Sequence, residues 1–238
     1  MCKLFLAIHN IDKNDIISFL QQSDKEPVAC DGFGFAWLND KKEWIVYKNH
    51  LNYTFDKKIM NIIDKINSNI VIGHLRFICP SCADTHINNT HPFIYDNQIF
   101  IHNGVIGNFN KTKICKYIDK SLSHNIKGST DSEHMFFLLL TIKNDMHKSD
   151  MDEMTKLKRT FNKFFYILKK ISKKIFANII FATNKYVVIT RYAIYKNKKN
   201  KKLYMNSTNA NSTLISTMPI KKDYNMIGIN KIIIKEIV

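Results

Sequence analysis

The chain alternates between two periodicities. Leu4, Leu6 and Ile8 alternate with Phe5 and Ala7, so residues 3–9 read as a strand. Asp12–Gln22 reads as a short helix with Asp12 as N-cap. Gly34–Leu38 and Glu43–Lys48 flank the polar turn Asn39-Asp40-Lys41-Lys42 and predict a hairpin. Ile59, Ile62, Ile63 and Ile66 share one face of a helix over Asp56–Ile66, and Ile70–Phe77 returns to strand. A long polar loop, Ile78–Thr90, precedes a second hairpin, Phe93–Tyr95 with Gln98–His102.

Two longer helices follow. Asp131–Met146 has Ser129 or Thr130 as its cap. In Glu153–Ile175, Leu157, Phe161, Phe164, Phe165, Leu168, Ile171 and Ile175 line one face and lysines the other. Strands close the chain: Asn178–Thr183, Tyr186–Tyr192, Leu203–Asn206, Leu214–Thr217 and Ile232–Ile237. Strands and helices in blocks, with closely spaced hairpins, predict α+β with antiparallel sheets rather than a doubly wound parallel sheet.

Composition narrows the class. The chain has 238 residues, with 45% hydrophobic and 24% charged, which is ordinary globular usage and excludes a disordered chain. Apolar runs such as Met135–Leu140 fall far short of the ~20 residues of a membrane span, and the start lacks a signal-peptide core. Five cysteines, an odd number, argue against a fully paired secreted scaffold and for a reducing, cytoplasmic compartment. The net charge is +16, yet only Arg76, Arg159 and Arg191 are arginines. That imbalance fits A/T-rich coding better than it fits a selected polyanion surface, which leaves nucleic acid the less favoured partner. The dense run Lys196–Lys202, between two strand-like segments, reads as a solvated hairpin loop.

Glycine points to the chemistry. Five of only seven glycines fall in Asp31-Gly32-Phe33-Gly34, Gly73-His74-Leu75-Arg76, His102-Asn103-Gly104 and Gly128-Ser129-Thr130-Asp131. A glycine-poor chain that places them beside reactive side chains needs unusual backbone or close approach there. Cys2 follows the initiator Met, and Asn89-Thr90-His91-Pro92-Phe93 adds another group.

In this order and spacing, over residues 1–140, the motifs resemble those of the class-II glutamine amidotransferase domain. That family is of the N-terminal-nucleophile hydrolase type, and the likeness is strongest to its stand-alone branch. The later part, including Ser216-Thr217-Met218-Pro219, resembles it only faintly.

The resemblance implies one domain over 1–238, with a four-layer αββα sandwich of two antiparallel sheets. Catalysis would fall to Cys2, with Asn103 and Gly104 as the oxyanion hole. With Met1 removed, the α-amine of Cys2, titrating near ~8, can take the thiol proton. Arg76 would clamp the substrate α-carboxylate through its planar fork, and Asp131 would accept the α-ammonium. Asp31 and Gly32 would form a turn near the thiol. Cys79 stands where the family often has Thr, replacing a hydroxyl donor. His74, His91 and His102 read as structural, because the amine is the base.

Cys79-Pro80-Ser81-Cys82 with His86 and His91 has elements of a zinc site and of a redox pair; two unrelated loop thiols fit better, since no second close pair follows. No cofactor or metal is expected. The substrate would be glutamine or a γ-glutamyl compound. About a hundred residues remain after residue 140, too few for a synthase domain, so an ammonia acceptor would require a separate partner chain. The loop at 77–90 would sit at the pocket mouth as a lid. The rival function is a basic scaffold that binds nucleic acid without catalysis.

Overall fold

The computed structural model describes residues 2–24, 31–77, 86–147, 149–194, 202–209 and 212–237. The strands are β1 (Lys3–Ile8), β2 (Phe33–Leu38), β3 (Trp44–Asn49), β4 (Ile70–Leu75), β5 (Phe93–Tyr95), β6 (Gln98–Ile106), β7 (Ile175–Ala182), β8 (Tyr186–Ala193), β9 (Tyr204–Asn209), β10 (Ser212–Ser216), β11 (Asn225–Met226) and β12 (Lys231–Glu236). The helices are α1 (Lys13–Leu20), α2 (Ile59–Lys65), α3 (Lys111–Cys115), α4 (Lys120–Ser123), α5 (Asp131–Met146) and α6 (Glu153–Ile171).

Two antiparallel sheets carry the strands, in the orders β11-β9-β10-β1-β4-β2-β3 and β12-β8-β7-β6-β5. The alternation in β1 divides two cores. Leu4, Leu6 and Ile8 pack between the sheets with Ala36, Ile70, Ile72, Ile99, Ile101, Ile180 and Ile189. Phe5 and Ala7 face the other way, onto Ile16 and Phe19 of α1 and Ile59 and Ile63 of α2. On the far side, Phe100, Ile179 and Phe181 meet Phe136 of α5 and Phe161, Phe164 and Leu168 of α6. Three apolar layers between four layers of secondary structure give the αββα sandwich expected from the motifs.

Local chemistry sets the boundaries. Asp12 caps α1 by accepting from Asn14 N–H at 2.9 Å. Thr130, rather than Ser129, caps α5, and its hydroxyl accepts from Glu133 N–H. The second helix expected over 56–66 starts only at Ile59; Asp56 stands before it, its carboxylate accepting from Tyr47 Oη at 2.6 Å, Asn49 Nδ2 at 2.8 Å and Lys58 N–H at 2.9 Å. The helix expected to reach Ile175 stops at Ile171. Ser172 is extended, its hydroxyl donates to Gly107 O at 2.7 Å, and Ile175 opens β7 instead. Periodicity alone missed this break because Ile171 and Ile175 keep helical spacing.

Residues 195–201, which hold most of the basic run, lie outside the described residues. The strands before and after it, β8 and β9, belong to different sheets, so they are not the two arms of a hairpin. No helix among the described residues is long and apolar enough to cross a membrane.

Candidate active site

Antiparallel pairing of β1 with β4 matches Lys3 to Leu75, which brings the residue before β1 beside the residues after β4. Cys2 Sγ donates to Phe77 O at 3.5 Å and accepts from Phe77 N–H at 3.4 Å. Both are weak sulfur contacts, so the thiol is held by main chain without a strong acceptor. Cys2 continues the parity of Leu4 and Leu6 and therefore faces the space between the sheets.

Asn103 meets it there from the other sheet. It continues the parity of Ile99 and Ile101, is 1% exposed, and its Nδ2 donates to Cys2 O at 2.6 Å. Its Oδ1 is buried and has no partner among the described residues. Asn103 and Gly104 lie within β6, opposite Asn178 and Ala177 of β7. Glycine at 104 serves close approach. A Cβ there would sit 1.8 Å from Phe176 O and 2.3 Å from His102 Nε2.

Arg76 is 8% exposed, at the end of β4. Its N–H donates to Gly32 O at 2.7 Å, and its carbonyl accepts from Asp31 N–H at 2.8 Å. Asp31 and Gly32 thus clasp the Arg76 backbone as the lead into β2 instead of forming a free turn. Gly32 has φ +140°, and a Cβ on it would come within 2.9 Å of Asn49 O, so only glycine fits without strain.

Asp131 opens α5, half-buried, and its Oδ2 accepts from Ile106 N–H at 2.9 Å, two residues past Gly104. Its Oδ1 lies 3.3 Å from Ser132 Oγ. Cys2, Asn103, Gly104, Arg76, Asp31 and Gly32 are linked directly or through one neighbour, and Asp131 is anchored to the end of the strand that carries Asn103. Cys79 and Cys82, and residues 78–85 of the 77–90 loop proposed as a lid, lie outside the described residues.

The histidines pack beneath the site. His74 Nε2 lies 3.1 Å from His102 O, and the His91 ring lies tilted against His74, with centroids 4.1 Å apart, and edge-on to Phe93 at 4.5 Å. Burial, then the His74 and His102 rings and the cations Lys48 and Arg76, hold His91 well below the usual imidazole range. Lys48 anchors the same segment by donating to Thr90 O at 2.8 Å, and burial pushes its ammonium down to about 8. His86 Nδ1 accepts from Asn88 N–H. Among the described residues no three His, Cys, Asp or Glu side chains gather to hold a metal.

Sequence reasoning missed the braces around Cys2. Leu4 N–H donates to Thr217 Oγ1 at 2.8 Å, and Thr217 N–H donates to Leu4 O, so the faintly matching late segment reaches the strand that follows Cys2. Lys3, 2% exposed, donates to Gln22 O at 2.7 Å, and Gln22 Nε2 donates to Met218 O. No local signal marks these pairs, because they are up to 213 residues apart.

This arrangement coincides with a known family. The model of class-II glutamine amidotransferases matches residues 1–199. The chain belongs to the class-II glutamine amidotransferase family. Its sequence is 30% identical over 139 residues to the probable glutamine amidotransferase DUG3 of Saccharomyces cerevisiae, covering 56% of this chain and 38% of that protein. It is also 30% identical over 156 residues to a glutamine–fructose-6-phosphate aminotransferase of Buchnera aphidicola, covering 63% of this chain and 23% of the relative. The chain therefore spans well under half the length of these two relatives. In fold it is similar to a glutamine aminotransferase class-II domain protein from Silicibacter pomeroyi, with TM-score 0.66, 19% identity, and coverage of 97% and 94% of the two chains. A regulatory enzyme of purine biosynthesis shares the fold at TM-score 0.60 and 13% identity, over 91% of this chain and 42% of its own.

Proposed function

We propose that this amidotransferase hydrolyses the γ-glutamyl amide of glutamine or of a γ-glutamyl peptide through a thioester on Cys2. The observation that carries the reading is the meeting of Cys2 and Asn103 across the two sheets, with buried Arg76 one residue from the Phe77 main chain that seats the thiol. With Met1 removed, the Cys2 α-amine takes the thiol proton as sulfur attacks the amide carbon. The second proton of Asn103 Nδ2, with the Gly104 N–H, meets the developing oxyanion, a donor pair of which each member contributes about 3 kcal/mol. The C–N bond breaks, the amine delivers the proton to the leaving nitrogen, and water then cleaves the thioester to release glutamate and the thiol.

Arg76 and Asp131 read the α-carboxylate and α-ammonium, Asp31 and Gly32 set the Arg76 backbone, and Cys79 takes the place of the family's hydroxyl donor to the substrate. The reading takes 1–238 as one such domain acting in the cytoplasm on a small molecule, with no cofactor or metal.

Intact mass after incubation with a diazo-ketone glutamine analogue tests it. Loss of Met1 and one adduct on Cys2, blocked by glutamine, are expected, together with glutamate release from glutamine or a γ-glutamyl peptide. An unlabelled Cys2, or no glutamate from any γ-glutamyl donor, overturns the reading.

A second reading rests on the outer face of α6, where Lys158, Arg159, Lys163, Lys169 and Lys170 are exposed in a chain of net charge +16. A polyanion such as nucleic acid would bind there, with affinity falling steeply as salt rises. Binding that is absent or insensitive to salt removes it.

A further inference from the structure

Asp131 has a neighbour that competes for it. Ser132 Oγ lies 3.3 Å from Asp131 Oδ1 and 2.9 Å from His102 Nδ1, and a hydroxyl has one proton to give. His102 decides where that proton goes. Its Nε2 lies 3.2 Å from Phe176 O, a carbonyl that only accepts, so Nε2 carries the hydrogen. In the neutral ring Nδ1 is then a bare acceptor, at the shorter distance, and the Ser132 hydroxyl donates to it. Both side chains are buried, His102 at 2% and Ser132 at 5% exposed. Glycine at 104 keeps open the gap in which the His102–Phe176 hydrogen bond forms.

We propose that His102 is a positioning residue that draws the Ser132 proton away from Asp131, leaving Asp131 Oδ1 a bare carboxylate oxygen for the substrate α-ammonium. Asp131 Oδ2 is meanwhile fixed by the Ile106 N–H. Without the Nδ1 acceptor, the Ser132 hydroxyl turns to Asp131 Oδ1 and competes with the ammonium. The inference rests on the proposed role of Asp131 as the ammonium acceptor.

The test is His102→Gln. Its side-chain amide reaches the Nε2 position and keeps a donor for Phe176 O, but it removes the Nδ1 acceptor. Two alkylators of Cys2 are compared: a diazo-ketone glutamine analogue, which carries the amino-acid head, and iodoacetamide, which lacks it. His102→Gln is expected to raise the half-saturating concentration of the diazo-ketone roughly tenfold, the loss of about one charge-assisted hydrogen bond. The maximal inactivation rate and the iodoacetamide rate stay within about twofold. Adding Ser132→Ala to His102→Gln removes the misdirected hydroxyl and restores half-saturation, which a merely structural role for His102 would not produce. Failure of that rescue, or equal losses with both reagents, overturns the proposal.

Ser132→Ala alone keeps the inference falsifiable if the His102 variant does not fold. It leaves half-saturation unchanged or lowers it, whereas a tenfold rise would make Ser132 the donor to Asp131 and overturn the proposal. Wild-type protein whose Cys2 reacts with iodoacetamide without protection by glutamine would overturn the site reading itself, and this inference with it.

Discussion

Asn103 Nδ2 donates to the main-chain carbonyl of Cys2 at 2.6 Å, and the two residues belong to strands of different sheets. One short hydrogen bond therefore ties the position of Cys2 to the packing of the two sheets. It also aims the Asn103 amide at the end of β1. Replacing Asn103 by Ala removes a donor from the Cys2 carbonyl and, in the proposed mechanism, from the oxyanion. Glutamate release is expected to fall by roughly 10²–10³-fold, with the far-UV spectrum retained. Steady-state assay with glutamine or a γ-glutamyl peptide checks it, and a loss below tenfold would remove Asn103 from the oxyanion hole.

Gly104 tests the close approach of β6 and β7. Its missing Cβ would stand 1.8 Å from Phe176 O, a main-chain atom that has no freedom to retreat. Gly104→Ala is expected to destabilise the fold by at least about 3 kcal/mol through overpacking. Gly228 is the control, because its nearest neighbour would be Lys231 Cγ at 3.4 Å, an ordinary contact. Gly228→Ala should change stability by less than about 0.5 kcal/mol. Urea unfolding midpoints separate the two.

Arg76 recognises geometry as well as charge in the proposed mechanism. Arg76→Lys keeps the cation but loses the fork, so half-saturation for glutamine is expected to rise more than about tenfold. Alkylation of Cys2 by iodoacetamide should stay unchanged. Equal losses in both assays would make Arg76 a structural strand-end cation instead.

Lys48 makes stability depend on pH. Burial lowers its folded-state value to about 8 from the ordinary 10.5. Between those values the unfolded chain holds a proton that the folded protein has released, so stability rises as pH rises from about 8 to 10.5. The total gain is on the order of 3 kcal/mol. Denaturant unfolding at pH 7.5, 9 and 10.5 measures it. In Lys48→Met the rise should flatten, and an unchanged slope would assign it to other groups.

Much of the architecture was legible because its signals are local. The alternation Leu4-Phe5-Leu6-Ala7-Ile8 gave β1 its two faces, Asp12 capped α1, and Thr130 was one of two caps offered for α5. The candidate site residues are legible in kind: Cys2, Arg76, Asn103 and Asp131 stand in short motifs. Their mutual placement was not. Whether Gly104 turns the chain or lets two strands close depends on the Phe176 carbonyl, and whether Thr217 matters depends on Leu4.

The sequence by itself determined the elements, the alternation that separates inner from outer sheet faces, and the set of side chains able to do the chemistry, because each depends on neighbours a few residues away. Only the tertiary structure decided that Cys2 rests on Phe77 and meets Asn103, that Asp31 and Gly32 clasp Arg76, and that His102 and Ser132 stand behind Asp131. Those contacts follow from strand register and from the stacking of two sheets, which are set by burial summed over the whole core and leave no mark in any one segment.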